Sequence, residues 1–323
     1  MQGNHRALPK SNHFYLEQIT NGVYVAFSAE GGRAISNAGI IDLGERTLIF
    51  DTFETPIAAD DLRVASDSLT GRPATWVVNS HFHPDHWFGN QVFPKETIII
   101  SSQGTWEGIH EFIDEVEEEK KDPSDLEEEL HSLKGQLALE SDLRKREVIK
   151  SSIARWEFYL ESLPNLNLRV PDQTFRGKIE LHGSMRSVEL IDAGPAHTSG
   201  DSYLRIPSEN IAFIGDIGFF NEQPYMADSN PEGWKSMLKV LKNSDTKTYI
   251  PGQRPAGTKK DLILIQEYIE MLETMVSKAI NQRITVDDVL SQELPEPFRT
   301  WSIGSSRMEV NSQFMFEYLS RGE

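Results

Sequence analysis

The feature that most constrains this chain of 323 residues is a dense cluster of histidine and aspartate after residue 79. His81, His83, Asp85 and His86 fall within six residues, whereas the whole chain has nine histidines and no cysteine. Neutral imidazole nitrogens combined with a carboxylate are ligands that suit Zn²⁺ or iron. The cluster therefore predicts a metal site, and any metal must be held by nitrogen and oxygen atoms because thiolates are absent.

The residues before the cluster place it on a loop that leaves a buried strand. Residues 74–78 form a short apolar run of the kind that buried strands have. In an extended segment, side chains two residues apart leave on the same side. His81 and His83 are therefore predicted to meet one ion, Asp85 to keep their direction and His86 to point elsewhere. Loops on a rigid sheet commonly carry active sites.

Three further residues lie in similar settings. Asp51 closes a predicted strand, and it is either a turn residue or a carboxylate that orients a ligand through a hydrogen bond. His197 lies in a turn framed by glycine and proline after another predicted strand, so it is a candidate third imidazole. Asp216 follows Gly215 at a predicted strand end, where such a pair is a turn about as often as it is a ligand.

Strand and helix patterns alternate through most of the chain, which indicates an α/β fold. Between about residues 104 and 164 the strand patterns stop, and the sequence becomes acidic and helical. Four leucines recur at helical spacing between residues 126 and 137. We interpret residues 104–164 as a helical insertion within a single domain of residues 12–323. The insertion either covers the site or forms a homodimer contact.

The charge balance and the apolar runs limit the partners. A net charge of -18 argues against nucleic acid, because phosphates would be repelled at long range. The sequence has no apolar run of about eighteen residues, so no membrane span is predicted. Residues 1–6 lack the pattern of a signal peptide. We therefore predict a cytoplasmic protein that acts on a small molecule.

The motifs, taken in order, resemble those of the metallo-β-lactamase fold superfamily. His81-x-His83-x-Asp85-His86 resembles its signature motif, and residues 194–200 resemble its Gly-x-x-His-Thr-x-Gly motif. Gly215-Asp216 resembles its bridging aspartate. The resemblance covers most of the chain. It implies an αβ/βα four-layer sandwich, with two facing sheets, helices outside and a metal site at one edge of the sheets.

The resemblance also implies how ligands divide between two metal ions. The first ion would be held by His81, His83 and His197. The second would be held by Asp85 and His86, with Asp216 bridging the two. Asp51 matches the strand-end aspartate of the family, which favours its role as a residue that supports a ligand.

One residue departs from the family pattern. Where the family usually has Pro-Gly-His-Gly, this chain has Pro251-Gly252-Gln253-Arg254. An amide oxygen is a weaker zinc ligand than an imidazole and carries no charge. Gln253 is therefore a weak ligand or a supporting residue, and the second site would hold a labile ion, a different metal or none.

The function that the resemblance implies is a zinc-dependent hydrolase acting on an ester, lactone, thioester or amide. Asp85 would orient the attacking water and move its proton, and Tyr225 would line the substrate pocket. One or two zinc ions are expected, with iron or manganese as alternatives. Two other functions stay open: an iron oxidoreductase of the same fold with one or two ions, and a non-catalytic metal-bound protein that binds a partner.

Overall fold

The computed structural model describes residues 7–302 and 304–321, without the side chains of residues 144 and 304–306. The interpretation of residues 1–6 as lacking a signal peptide lies outside the described residues. So do residues 303, 322 and 323 of the predicted domain.

The first seven strands form one sheet in chain order. They are β1 (Phe14–Thr20), β2 (Val23–Ser28), β3 (Ala38–Asp42), β4 (Thr47–Phe50), β5 (Trp76–Asn79), β6 (Ile98–Ser102) and β7 (Gln173–Phe175). Strands β1 to β4 pair antiparallel, and β4 to β7 pair parallel. Parallel neighbours need crossover connections, and these connections include the candidate metal loop and the insertion.

The second sheet has five strands in the order β12-β11-β10-β9-β8. They are β8 (Lys178–His182), β9 (Ser187–Gly194), β10 (Asp201–Ile206), β11 (Ile211–Phe219) and β12 (Thr248–Gln253). Only β11 and β12 pair parallel among these described strands, and their register shifts on both sides of Gly215.

The helices of the described residues lie outside the two sheets or on loops. They are α1 (Pro56–Thr70), α2 (Pro84–Trp87), α3 (Gln103–Lys121), α4 (Ser124–Leu139), α5 (Leu143–Ser162), α6 (Pro231–Asn243), α7 (Lys259–Gln282), α8 (Val286–Leu290) and α9 (Gly304–Ser320). Short 3-10 helices span Phe88–Val92, Leu163–Asn165, Pro207–Glu209 and Phe298–Thr300. Among the described helices, none combines the length and the apolar character needed to cross a membrane.

The alternation of side chains along the strands builds a four-layer sandwich. On β4, Leu48 and Phe50 face the core between the sheets, where the Phe50 and Phe213 rings lie 5.8 Å apart. Ile49 faces the other way and packs with Leu62 of α1. Helices α6, α7 and α9 cover the outer face of the second sheet, where Trp234 is fully buried. The predicted αβ/βα four-layer fold is confirmed.

The predicted insertion consists of α3, α4 and α5, and it packs on the candidate metal loop. Trp87 and Phe88 from that loop share a buried cluster with Ile109 of α3 and Tyr159 of α5. In α4 the predicted leucine stripe is partly realised, since Leu126 is buried and the other three leucines are half-buried. This packing favours the interpretation that the insertion covers the site, while the homodimer contact stays a prediction.

Candidate metal centre

Strand ends from both sheets bring the predicted site residues to one edge of the sandwich. The residues come from the segments after β4, β5 and β9 and from β11 and β12: Asp51, His81, His83, Asp85, His86, His197, Asp216 and Gln253. Asp216 lies within β11 rather than at its end, because the strand continues through the irregular pairing at Gly215 to Phe219. The prediction that Asp216 closes its strand is therefore wrong.

The loop after β5 bends and then becomes helical. Residues 81–83 form a bend, and Pro84 is the first residue of α2. Proline suits that position because its fixed φ matches a helix and no N–H is needed there. Asp85 therefore does not keep the direction of His81 and His83. The prediction from extended geometry is wrong for Asp85, whose Oδ2 lies 3.4 Å from Nε2 of its helical neighbour His86. The prediction that His86 points elsewhere is wrong too, because its Nε2 lies 3.4 Å from Asp216 Oδ1 in the same site.

Three imidazoles converge at the centre of the site. His83 Nδ1 lies 3.1 Å from His81 Nε2 and 3.1 Å from His197 Nε2. The Asp216 carboxylate completes the group, with Oδ2 lying 3.7 Å from His197 Nε2. One donor atom from each of the four residues lies within 4.8 Å of the other three. Donors around a tetrahedral zinc ion are about 3.3 Å apart, so this donor set fits one ion.

Hydrogen bonds decide which ring nitrogens carry lone pairs toward the centre. Ser80 Oγ donates its single proton to Asp51 Oδ2 at 2.8 Å, so it accepts from His81 Nδ1 at 2.9 Å. This leaves the His81 Nε2 lone pair facing the centre. His83 Nε2 donates to Asp228 Oδ2 at 2.9 Å, which leaves the His83 Nδ1 lone pair there too. Metal-binding histidines usually donate their second ring nitrogen in this way.

Asp51 connects the strand end to the loop. Its Oδ1 accepts from Ser80 N at 2.7 Å, and its Oδ2 accepts from Ser80 Oγ and from His86 Nδ1, each at 2.8 Å. The backbone of Asp51 has φ 61, a conformation that costs a non-glycine residue about 1–2 kcal/mol. The three hydrogen bonds offset this strain. This geometry supports the interpretation of Asp51 as a residue that orients ligands.

The electrostatics of the three-histidine group suit a cation. Burial and the neighbouring histidines hold the pKa of His81 and of His197 well below the usual range, so both rings are neutral, the form that binds metals. Burial raises the pKa of Asp216 to about 8. Within the described part of the chain, the buried Asp216 Oδ1 and His86 Nε2 have no hydrogen-bond partner. A bound cation would favour the ionised form of such a carboxyl.

Asp85 and His86 form the part of the site where the resemblance implies a second ion. Burial works against a charged His86, but the carboxylates of Asp85, Asp51 and Asp216 outweigh it and raise its pKa well above the usual range. Gln253 Nε2 donates to Asp85 Oδ2 at 2.8 Å. The Gln253 side chain therefore meets the carboxylate as a hydrogen-bond donor.

Two glycines leave room for the site. A Cβ atom on Gly252 would lie 2.0 Å from Asp216 Oδ1 and 2.7 Å from His86 Cε1. Gly215 has φ +51, and a Cβ there would lie 2.7 Å from Ser80 Oγ. A larger residue at either position would displace one of these site residues.

The predicted pocket residue Tyr225 lies beside the centre. Its ring is 5.7 Å from the His83 ring and 6.4 Å from the His197 ring. The Arg307 guanidinium lies 5.6 Å from the Tyr225 ring and 5.6 Å from the Phe219 ring. The sequence interpretation did not find Arg307, because it lies in α9, far along the chain from every motif.

The four-layer αβ/βα fold and the cluster of histidine and aspartate at one edge of its sheets place this chain among α/β sandwich proteins that have a candidate metal centre. The model of the metallo-beta-lactamase superfamily matches residues 31–253, and the chain belongs to this superfamily. The resemblance inferred from the motifs is therefore confirmed.

Solved structures of metallo-beta-lactamases share the fold. The enzyme from Pontibacter korlensis is 15% identical with a TM-score of 0.56, covering 80% of this chain and 99% of its own. FIM-1 from Pseudomonas aeruginosa, solved in a mono-zinc form, is 15% identical with a TM-score of 0.57, covering 82% and 98%. The enzyme from Hirschia baltica is 13% identical with a TM-score of 0.56, covering 79% and 97%. Comparison with curated proteins gives no significant match.

Replacing Asp228 by asparagine tests whether this carboxylate supports the centre. Asp228→Asn is expected to weaken zinc binding about 10- to 100-fold, because it removes the charged acceptor of the His83 Nε2 proton. Competition with a coloured chelator measures the affinity. The exposed Asp245 is the matched control, and Asp245→Asn should bind zinc as the wild type does. Equal affinities for the two variants would contradict the prediction.

Proposed function

We propose that this chain is a zinc-dependent hydrolase that cleaves a small carbonyl substrate: an ester, lactone, thioester or amide. The observation that carries the proposal is the convergence of three imidazole nitrogens and one carboxylate within 4.8 Å of one another. Membership in the metallo-beta-lactamase superfamily supports the same reaction class.

His81, His83, His197 and Asp216 would hold the metal. Three neutral nitrogens and one carboxylate oxygen form a donor set that zinc accepts. When bound, the ion supplies a Lewis acid that polarises a carbonyl and lowers the pKa of water. The hydrogen bonds from His81 to Ser80 and from His83 to Asp228 keep both rings in the orientation that binding needs.

Asp85 would orient the attacking water. Burial works against its ionised form, but His86 and Arg155 outweigh burial and hold the pKa of Asp85 well below its usual range. The carboxylate is therefore ionised at neutral pH and accepts hydrogen bonds. Gln253 Nε2 fixes its orientation from one side. Because so acidic a group retains a proton poorly, Asp85 would pass the water proton on to the leaving group, whose bond to the carbonyl carbon breaks.

The substrate would enter on the side where Tyr225 and Asp228 lie. Tyr225 is half-buried against His83, and Asp228 is 42% exposed. Arg307 lies over Tyr225 and forms an ion pair with Glu222 at 3.6 Å. This rim offers an aromatic face and a cation to a small molecule.

The cytoplasmic location, the homodimer contact and the limits of the domain stay predictions.

Metal removal tests the proposal. Treatment with a chelator is expected to reduce hydrolysis of activated esters, lactones or thioesters to a few per cent or less, because the Lewis acid is lost. Zinc should restore the activity, and elemental analysis of the protein as purified should find zinc. Full hydrolysis by metal-free protein would contradict the proposal. Iron together with oxygen consumption would instead favour the oxidoreductase alternative.

A further inference from the structure

Gln253, which replaces the usual histidine of the family motif, and Arg155, which lies on helix α5 of the insertion, meet at one carboxylate. Gln253 Nε2 donates to Asp85 Oδ2 at 2.8 Å. Arg155 Nη2 lies 3.7 Å from Asp85 Oδ1. Each oxygen of Asp85 therefore faces an N–H group.

Arg155 is held in position by a buried partner. Its Nε lies 3.2 Å from both carboxylate oxygens of Glu54. The Glu54 side chain is 7% exposed, and it follows the strand-end segment that contains Asp51. A buried carboxylate needs a charged partner, so Glu54 fixes the guanidinium beside Asp85. The Arg155 side chain is 46% exposed.

We propose that the Arg155 guanidinium takes the place of a second metal ion beside Asp85, and that the chain binds a single metal ion at His81, His83, His197 and Asp216. The inference rests on the proposed function, because it requires that the three histidines hold an ion. It gives the insertion a role in the site: α5 supplies a permanent positive charge beside Asp85, the carboxylate to which the resemblance assigns the second ion.

The identity of residue 253 agrees with this arrangement. A histidine at that position would add a nitrogen lone pair for a second ion. The glutamine amide instead adds a hydrogen-bond donor and no charge. Arg155 neutralises Asp85, and Gln253 satisfies its other oxygen. The carboxylate is thereby held without a second metal. Gln253 and Arg155 together explain how the site can lack the histidine that the family usually has at position 253.

Zinc content after equilibrium dialysis against a small excess of zinc tests the proposal directly. The wild type is expected to hold one zinc per chain. Gln253→His alone should still hold one, because the guanidinium remains beside Asp85. A triple variant, Glu54→Gln with Arg155→Met and Gln253→His, should hold two. Removing Glu54 and Arg155 together avoids leaving an unpaired buried carboxylate, and thermal unfolding checks that the variants are folded.

The matched control is Lys150→Met, which removes an exposed cation of the same helix and should leave one zinc per chain. Two zinc ions in the wild type or in Gln253→His would overturn the inference and leave the proposed function intact. One zinc in a folded triple variant would overturn it as well. A wild type that holds no zinc would contradict both proposals. The zinc content of the wild type and of Gln253→His tests the inference even if the triple variant does not fold.

Discussion

The His83→Ala variant is expected to lose its tightly bound metal and at least about 10³-fold of its hydrolytic rate. His83 Nδ1 is the central donor, because it lies 3.1 Å from both of the other imidazole nitrogens. Removing it leaves two imidazoles and one carboxylate. The metal's contribution to such reactions is several kcal/mol, and each 1.36 kcal/mol corresponds to a tenfold change in rate. Zinc content and kcat/KM measure the two effects.

This variant separates loss of the site from loss of the fold. The His83 side chain is 15% exposed, whereas His81 and His197 are fully buried, so His83 is the ligand whose truncation disturbs the core least. The matched control is His182→Ala, since His182 is 67% exposed on β8 and distant from every site motif. The control should keep its zinc and its activity. A His83→Ala protein that still bound one zinc as tightly as the control would refute the proposed ligand set.

Replacing Asp51 by alanine is expected to lower the free energy of unfolding by about 3–5 kcal/mol. The change removes the acceptor of three buried hydrogen bonds, from Ser80 N, Ser80 Oγ and His86 Nδ1. Those donors would then have no partner in a region closed to water. An unpaired buried donor costs its full desolvation free energy, which is more than the net contribution of a typical hydrogen bond. Urea unfolding of the metal-free protein measures the effect on the fold alone.

Two companion variants show whether the hydrogen bonds cause this loss. Asp51→Asn keeps the shape and one acceptor oxygen, so its loss should be smaller than that of alanine. Asp60→Ala removes a carboxylate that is 53% exposed and pairs with Arg63, and it should change stability by less than about 1 kcal/mol. If Asp51→Ala unfolded at the same urea concentration as Asp60→Ala, Asp51 would have no supporting role.

The strands and most of the candidate site could be predicted from sequence because the signals are local. His81 and His83 follow an apolar run that forms β5, and His197 follows the run that forms β9. Residues that end neighbouring strands meet at one edge of a sandwich, so the order of motifs was enough to bring them together. The direction of Asp85 was mispredicted, although Pro84 is a recognised residue for the first position of a helix.

The supporting residues could not be predicted, because their partners are distant in sequence. Asp228 bonds to His83 across 145 positions, and no motif surrounds it. Arg155 lies on a strongly charged helix, where charged residues usually form a solvated face. Its pairing with Glu54 depends on how α5 docks against the loop after β4. Such contacts are properties of the packed chain and leave no periodic pattern in the sequence.

The place where the insertion joins the first sheet leaves its length free to vary. It leaves after β6 and returns as β7, the edge strand of the first sheet, so no strand pairing depends on its length. Each doubling of a connecting segment costs only about 0.6 kcal/mol in closure entropy. Over evolutionary time, a lineage could therefore lengthen, shorten or exchange this segment while the rest of the scaffold stays the same. Changes in what the site accepts could then accumulate in one part of the chain that the sheets do not constrain.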